Sequence, residues 1–171
     1  MGTDAKSSKM IISVIGGSEA TPEALELAEE VGRELGKRGI TVVCGGLSGV
    51  MEAVCRGAKM AGGTTIGILP GRDPSAANQW VDIPISTDMG YARNTIVVYT
   101  GRAVIAVDGA YGTLSEIGHA MGTNIPVVGL ETWTFSKNGQ TDSRMIWAKD
   151  PLDAVEKALE AARSRDSTPA S

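Results

Sequence analysis

Several residue types are scarce in this sequence of 171 residues, and each scarcity argues against a class of protein. Aromatic residues make up 4% of the chain, too few for the stacking platforms that bind single-stranded nucleic acid. The net charge of −4 leaves no basic footprint for DNA or RNA. No apolar run approaches the roughly 18 residues that indicate a membrane span. We therefore predict a cytoplasmic protein with neither a nucleic-acid partner nor a membrane segment.

Cysteine and histidine are also rare. Cys44 and Cys55 lack the CxxC spacing of a zinc site, and no group of histidines accompanies them in the sequence. His119 follows Glu116 at the ExxH spacing that can hold a metal, but a second set of ligands is missing, so a structural or interface histidine is favoured. We predict free buried thiols in a reducing compartment, no metal site and no required cofactor.

Glycine and apolar residues are plentiful. The chain has 22 glycines, and its apolar fraction of 42% is ample for a core. Short β-type runs that are apolar throughout alternate with helical patterns, which is typical of a parallel sheet covered on both faces. We predict a single doubly wound, mostly parallel Rossmann-like α/β sheet with helices on both faces, spanning 10–163 between disordered tails at 1–9 and 164–171. The predicted strands cover 10–15, 40–44, 64–69, 80–85, 104–107, 125–130 and 144–148.

Two glycine-rich turns, at 45–49 and 108–113, each join a predicted strand to a predicted helix. Ligands of such sheets collect at the carboxyl ends of the strands, and a helix N-terminus offers N–H groups and a positive dipole to a phosphate. We predict that the turns form one phosphate site; the alternative is that the glycines only make tight turns. The predicted binding residues are Gly45, Gly46, Ser48, Gly49, Asp108, Gly109, Ala110, Tyr111, Gly112 and Thr113, with Gly16, Gly17 and Ser18 after the first strand.

Two common nucleotide-binding signatures are missing from these turns. Neither is followed by the GKS or GKT of a P-loop. The segment 16–19, which follows the first strand, does not match GxGxxG, which disfavours an NAD-dependent dehydrogenase.

The turns resemble two motifs of the LOG-like proteins. Segment 45–51 resembles their GGGxxGLMG motif and segment 108–116 their PGGxGTxxE motif, and the likeness covers roughly 10–159. The resemblance implies hydrolysis of the N-glycosidic bond of cytokinin nucleoside monophosphates, by homodimers or homotetramers. It also implies catalytic roles for Glu116, which matches the motif glutamate, and for Arg93, which is placed like the arginine of the family's MHERK segment. We expect assembly through the helix that carries Arg93.

The sequence departs from the family pattern at several site positions. Asp108 and Ala110 replace Pro and Gly in the second motif, and Asn94 replaces the lysine of MHERK. These departures resemble the branch close to the molybdenum cofactor carrier proteins of algae, which bind a pterin phosphate without turning it over. For Asp108 we favour ribose or loop contacts.

Three hypotheses follow for the function of the chain. It is a nucleoside 5′-monophosphate phosphoribohydrolase, a non-catalytic carrier or sensor of a phosphorylated cofactor such as the molybdenum cofactor, or a mainly structural oligomer. The first two share a small phosphorylated ligand, a nucleoside monophosphate or phosphate compound, to which Arg72 and Asn94 are also predicted to bind.

Overall fold

The computed structural model of the protein describes residues 9–166. Of the predicted tails at 1–9 and 164–171, residues 1–8 and 167–171 lie outside the described residues. The strands are β1 Ile11–Ile15, β2 Thr41–Cys44, β3 Thr65–Leu69, β4 Ile83–Ser86, β5 Val104–Val107, β6 Val127–Leu130, β7 Ser136–Lys137, β8 Gln140–Thr141 and β9 Ile146–Trp147. The α-helices are α1 Pro22–Lys37, α2 Val50–Met60, α3 Asn94–Thr100, α4 Tyr111–Gly122 and α5 Pro151–Asp166.

Seven of the strands form one sheet in the order β4-β3-β2-β1-β5-β6-β9, and every neighbouring pair is parallel. The doubly wound, Rossmann-like α/β sheet predicted from the sequence is therefore confirmed. The chain builds outward from β1 to β4, then returns to place β5 on the other side of β1. Because the connections after β1 and β5 leave in opposite directions, a crevice opens between them at the carboxyl ends of the strands.

Helices cover both faces of the sheet, and each face has its own core. Helices α1, α2 and α5 pack on one face, with Val31, Val54 and Ala158 fully buried among the side chains of β1, β2, β5 and β6. Helices α3 and α4 pack on the other face through residues such as Val97 and Ile117. This two-sided cover explains why β2, β5 and β6 are buried at every position.

Helices α1 and α2 approach each other closely because glycines face the crossing. A Cβ added at Gly32 would lie 2.0 Å from the Val54 main-chain oxygen, and one added at Gly57 would lie 1.9 Å from the Glu29 main-chain oxygen. Each helix thus places a glycine against the other's backbone, so the fold requires the lack of a side chain at both positions.

Several elements differ from their predicted bounds. The single helix expected around Arg93 is a 3-10 turn, Gly90–Arg93, followed by α3. The predicted polar segment after β6 contains the small hairpin β7–β8, whose turn residues Asn138 and Gly139 both have positive φ, as a type I′ turn requires. Helix α5 continues to Asp166, three residues into the segment predicted as a tail. No helix within residues 9–166 is long and apolar enough to cross a membrane.

Candidate functional site

A cleft of about 400 Å³ lies at the carboxyl ends of β1, β2, β3 and β5. It occupies the crevice at the point where the strand order reverses. Of the predicted site residues, the cleft brings together Gly16, Gly17, Ser18, Arg93, Asn94, Ala110, Gly112, Thr113 and Glu116. Residues that the sequence reasoning did not single out for the site complete its wall: Leu47, Met51, Pro70, Gly90 and Tyr91.

The second glycine turn delivers the N-terminus of α4 to the cleft. Ala110 occupies the N-cap position, and no side chain caps the helix, so its first N–H groups have no partner within the helix. Thr113 is 2% exposed, and its hydroxyl oxygen has no hydrogen-bond partner among the described residues. Gly109, with a φ of +127°, lets the chain pass over Thr113, since an added Cβ would lie 2.5 Å from the Thr113 methyl carbon. The cleft therefore holds unpaired donors at a positive helix end.

The first glycine turn packs against the loop after β1 instead of lining the cleft with its glycines. The Val50 N–H donates to the Gly17 carbonyl at 3.0 Å, and the Ser48 hydroxyl donates to the Ser18 carbonyl at 3.1 Å. Gly49 has a φ of +66°, and a Cβ there would lie 2.3 Å from the same Gly17 oxygen. The N-terminus of α2 is thus already engaged by a protein carbonyl. The joint role of the two turns in phosphate binding stays a prediction.

Gly45 and Gly46 are glycines because neighbouring groups leave no room for a side chain. At Gly45 an added Cβ would lie 2.6 Å from the Met51 sulfur and 2.7 Å from an Arg93 guanidinium nitrogen. At Gly46 it would lie 3.0 Å from the Gly67 Cα. The turn also receives the side chain of Asn78, whose Nδ2 donates to the Leu47 carbonyl at 2.8 Å. The first turn therefore shapes one wall of the cleft and presents Leu47 to it.

Arg93 lies in the wall of the cleft with its guanidinium held by the protein. The residue is 7% exposed; Nε donates to the Ile68 carbonyl at 2.8 Å and Nη2 to the Gly45 carbonyl at 3.4 Å. Nη1 donates to the Asn94 side-chain oxygen, while Asn94 Nδ2 donates to the Ser115 hydroxyl at 3.3 Å. Burial lowers the pKa of Arg93, and the negative charge of the nearby Glu116 opposes that decrease. The guanidinium thus links the ends of β2 and β3 to the start of α3 through hydrogen bonds. Because Arg93 also lines the cleft, its positive charge lies close to any ligand bound there.

Glu116 lies one turn into α4 and is 6% exposed. No hydrogen bond within residues 9–166 ends on its carboxylate. Burial raises the pKa of Glu116 to about 7, and the attraction of the Arg93 charge opposes that rise. A carboxyl group with such a pKa is half protonated near neutrality, so it can accept or donate a proton toward the cleft.

The remaining predicted residues do not line the cleft. Asp108 has a φ of +50°, which aspartate tolerates better than most residues, and its carbonyl accepts from the Thr132 hydroxyl. Tyr111 is 80% exposed and its ring lies 5.8 Å from that of Trp133. Arg72 forms an exposed ion pair with Asp88 at 2.6 Å. Their predicted ligand contacts stay predictions.

His119 is exposed on α4. Within residues 9–166, no group of three or more histidine, cysteine or acidic side chains is placed to share a metal ion.

The wall residues missed by the sequence reasoning share an apolar character. Met51 is buried beneath the cleft, whereas Tyr91 is 85% exposed at its mouth. Pro70 ends β3, and its carbonyl accepts from the Gly90 N–H at 2.9 Å, which brings Tyr91 to the rim. Position along the chain was the signal that could have found them. Four of these residues lie within five positions after the end of a strand, and Met51 lies at the start of α2.

Comparison with known proteins places the chain in a family. Residues 9–155 match the model of the SLOG cluster4 family. The molybdenum cofactor binding protein from the phototrophic bacterium Rippkaea orientalis is 34% identical, with a TM-score of 0.80 over 89% of this chain and 96% of that one. The molybdenum cofactor carrier protein MCP from Chlamydomonas reinhardtii is also 34% identical, with a TM-score of 0.80 over 91% and 99% of the two chains.

A curated relative carries an enzyme name. The cytokinin riboside 5′-monophosphate phosphoribohydrolase of Mycobacterium tuberculosis is 34% identical over 140 residues, 77% of this chain and 72% of its own length. Together these findings confirm the predicted resemblance to the LOG-like proteins and to the branch near the molybdenum cofactor carriers. The chain belongs to the SLOG cluster4 family.

Proposed function

We propose that the cleft binds a small phosphorylated ligand of nucleotide or pterin type, and that the protein serves as a carrier or sensor of that ligand, with the molybdenum cofactor as the named candidate. The observation that carries the proposal is the buried Thr113 hydroxyl without a partner, beside the uncapped N-terminus of α4. An unpaired buried hydroxyl costs free energy in the empty protein, and a ligand phosphate would satisfy it together with the helix N–H groups.

The two sides of the cleft suit the two parts of such a ligand. Gly16, Gly17 and the start of α4 form a polar side that would take the phosphate. Leu47, Met51 and Tyr91 form an apolar part of the wall, which would take a planar ring. The volume of about 400 Å³ falls in the usual range of small-molecule sites, roughly 300–1,000 Å³.

Relatives support the carrier reading. Solved structures named as molybdenum cofactor binding and carrier proteins align with this chain over 96% and 99% of their lengths. Arg93 has three guanidinium nitrogens committed to protein oxygens. That arrangement suits a positioning residue that holds the cleft in shape.

Replacing the Thr113 hydroxyl should weaken ligand binding without weakening the fold. We expect Thr113→Val to raise the Kd for AMP by about 10- to 100-fold, the equivalent of one hydrogen bond to a charged group. The unliganded melting temperature should stay level or rise, because the lost hydroxyl has no partner in the described residues. Isothermal titration calorimetry gives the first quantity and a thermal melt the second.

Thr113→Ser is the matched control, since it keeps the hydroxyl and should keep most of the affinity. Equal affinity for AMP in the wild type and Thr113→Val would contradict the assigned phosphate position. Mass spectrometry of small molecules that copurify with the native protein, with no phosphorylated compound found, would count against the carrier reading.

Hydrolysis of a nucleoside 5′-monophosphate is the second candidate, favoured by the environment of Glu116. Cleavage of the N-glycosidic bond builds positive charge on the ribose, which a carboxylate near the anomeric carbon stabilises. Because the pKa of Glu116 is about 7, this side chain is an ionised carboxylate in part of the molecules at neutral pH. Arg93 would hold its charge close to Glu116 and the phosphate would lie at the start of α4.

Chromatography that detects free base released from a panel of nucleoside monophosphates distinguishes the hydrolase function from the carrier function. The hydrolase reading expects base release by the wild type and its loss in Glu116→Gln, with binding of the monophosphate retained. The carrier reading expects binding with no base released by either protein. Release that persists in Glu116→Gln would remove Glu116 from the mechanism.

The proposal also covers how the protein assembles and where in the cell it is found. We infer a cytoplasmic homodimer or homotetramer that assembles through the face of α3 and β4. Ile83 and Ile85 of β4 pair in register with Ile66 and Ile68, which belong to the core on the α3 side of the sheet. Their side chains are nevertheless 47% and 43% exposed. Tyr99 on α3 is 52% exposed as well. A second copy would cover this apolar surface, and light scattering of the purified protein measures the assembly directly.

A further inference from the structure

The two cysteines of the chain lie in contact beneath the cleft. Cys44 ends β2 and Cys55 lies in α2, and both are fully buried. Their sulfur atoms are 3.5 Å apart, within hydrogen-bond distance for thiols, and both are free. The Cys44 sulfur also lies 3.8 Å from the main-chain oxygen of Met51, whose side chain lines the cleft. One residue therefore separates the thiol pair from the ligand space.

The surroundings of the pair give the two sulfurs different roles. The Gly46 N–H donates to the Cys44 sulfur at 3.3 Å. The positive charge of Arg93 also lowers the pKa of Cys44. The hydrogen bond from Cys55 is the largest influence that lowers the pKa of Cys44, whereas the same contact and burial raise the pKa of Cys55. Of the two thiols, Cys44 is therefore the one whose ionised form the surroundings favour, and Cys55 is the proton donor beside it.

We propose that Cys44 and Cys55 are a redox modification site, which a hydroperoxide converts into an intrachain disulfide and a thiol reductant restores. The Cys44 thiolate attacks one peroxide oxygen, the O–O bond breaks, and the leaving oxygen takes a proton to leave as water or alcohol. Cys55 then attacks the resulting sulfenic sulfur, the S–O bond breaks, and the sulfenic hydroxyl leaves as water with the Cys55 proton. Each thiol loses one electron to the peroxide and no other reactant is needed.

The disulfide would act on the cleft through Gly45, the residue after Cys44. An S–S bond is about 2.0 Å long, so the sulfurs must approach each other by more than an ångström, which draws Cys44 toward α2. Gly45 lies close to both groups, because a Cβ added there would lie 2.6 Å from the Met51 sulfur and 2.7 Å from Arg93 Nη2. The Gly45 carbonyl is also an acceptor for Arg93. Oxidation therefore shifts Arg93 and Met51, two residues of the cleft wall.

Peptide mapping of the native, full-length protein tests the site independently of any ligand. Both cysteines fall in one tryptic peptide, 39–56, and a second cleavage after Glu52 divides it into 39–52 and 53–56. After treatment with hydrogen peroxide, we expect these two fragments to remain joined until dithiothreitol separates them. The count of free thiols should fall from two per chain to none. Two thiols that stay free in the native protein, but oxidise once it is unfolded in urea, would overturn the proposal.

Two single variants test the order of attack. In Cys55→Ser, peroxide should leave a sulfenic acid on Cys44 that dimedone traps, whereas in Cys44→Ser the remaining Cys55 should give little adduct. Equal trapping at both positions would overturn the assigned roles. Should either variant fail to fold, the wild-type mapping still decides whether the disulfide forms.

Discussion

Alanine at Gly57 is expected to destabilise the protein by about 3 kcal/mol, at the upper end of the usual cost of overpacking a core. The new Cβ would lie 1.9 Å from the Glu29 main-chain oxygen, a distance that only movement of α1 away from α2 can relieve. Gly32→Ala should cost about as much, because its Cβ would lie 2.0 Å from the Val54 main-chain oxygen. Urea unfolding measures the effect as a lower transition midpoint at an unchanged slope.

Gly118→Ala is the matched control for these substitutions. Gly118 lies in the middle of α4, is exposed, and has no atom within 4 Å of an added Cβ. Alanine there should stabilise the protein by about 1 kcal/mol, the difference in helix propensity between the two residues. Equal effects of alanine at Gly57 and Gly118 would mean that the helix crossing is looser than the structure describes.

These glycines show what the sequence could reveal of the fold. The alternation of apolar runs and helical patterns predicted the sheet, because a strand buried on both faces needs an apolar residue at nearly every position, as in β2 and β5. The close contact of α1 and α2 was not predicted. Helical glycines such as Gly32 and Gly57 have a role only once the partner helix is known, and sequence spacing does not identify that partner.

The candidate site was predicted better in its location than in its detail. Glycine turns after two strands predicted a site at the sheet edge where the cleft lies, since carboxyl ends of parallel strands share one edge. Yet Gly45, Gly46 and Gly49 are explained by close packing against neighbouring groups, whereas the second turn brings Gly112 and Thr113 to the cleft. The same glycine sequence fits both cases, because a tight turn and a close ligand contact both require a residue without a side chain.

Asp108 has a local explanation that the sequence pattern did not reveal. Its positive φ places it among the few residue types that enter the left-handed region, and its carbonyl is held by Thr132. The backbone conformation thus gives a local reason for an aspartate there. The apolar wall of the cleft was missed for a different reason: Leu47, Met51 and Tyr91 carry no chemistry of their own, and only their convergence makes them a surface.

Glu116→Gln is expected to change how the stability of the protein depends on pH. The Glu116 carboxyl has an ordinary pKa of 4.5, and burial raises it to about 7 in the folded protein. Between these values the folded state binds more protons at this position than the unfolded state, so the free energy of unfolding falls as the pH rises. The loss amounts to about 3 kcal/mol over the interval, at about 1.4 kcal/mol per pH unit. Glutamine does not titrate, so the variant lacks this loss.

Urea unfolding of both proteins, from about pH 4 to about pH 8, measures the difference between their pH profiles. The other titrating groups are shared and largely cancel in that difference, and Arg93 stays charged throughout, so its lost partner adds an offset rather than a slope. The free energy of unfolding of the variant, relative to that of the wild type, should rise steadily from about pH 4.5 to about pH 7. Above that pH the difference between the two proteins should stay constant. Parallel profiles would mean that Glu116 is charged and solvated as in the unfolded chain. A slope of the expected size places a carboxyl that titrates near neutral pH inside the cleft, which both the hydrolytic and the carrier reading must then accommodate beside a ligand phosphate.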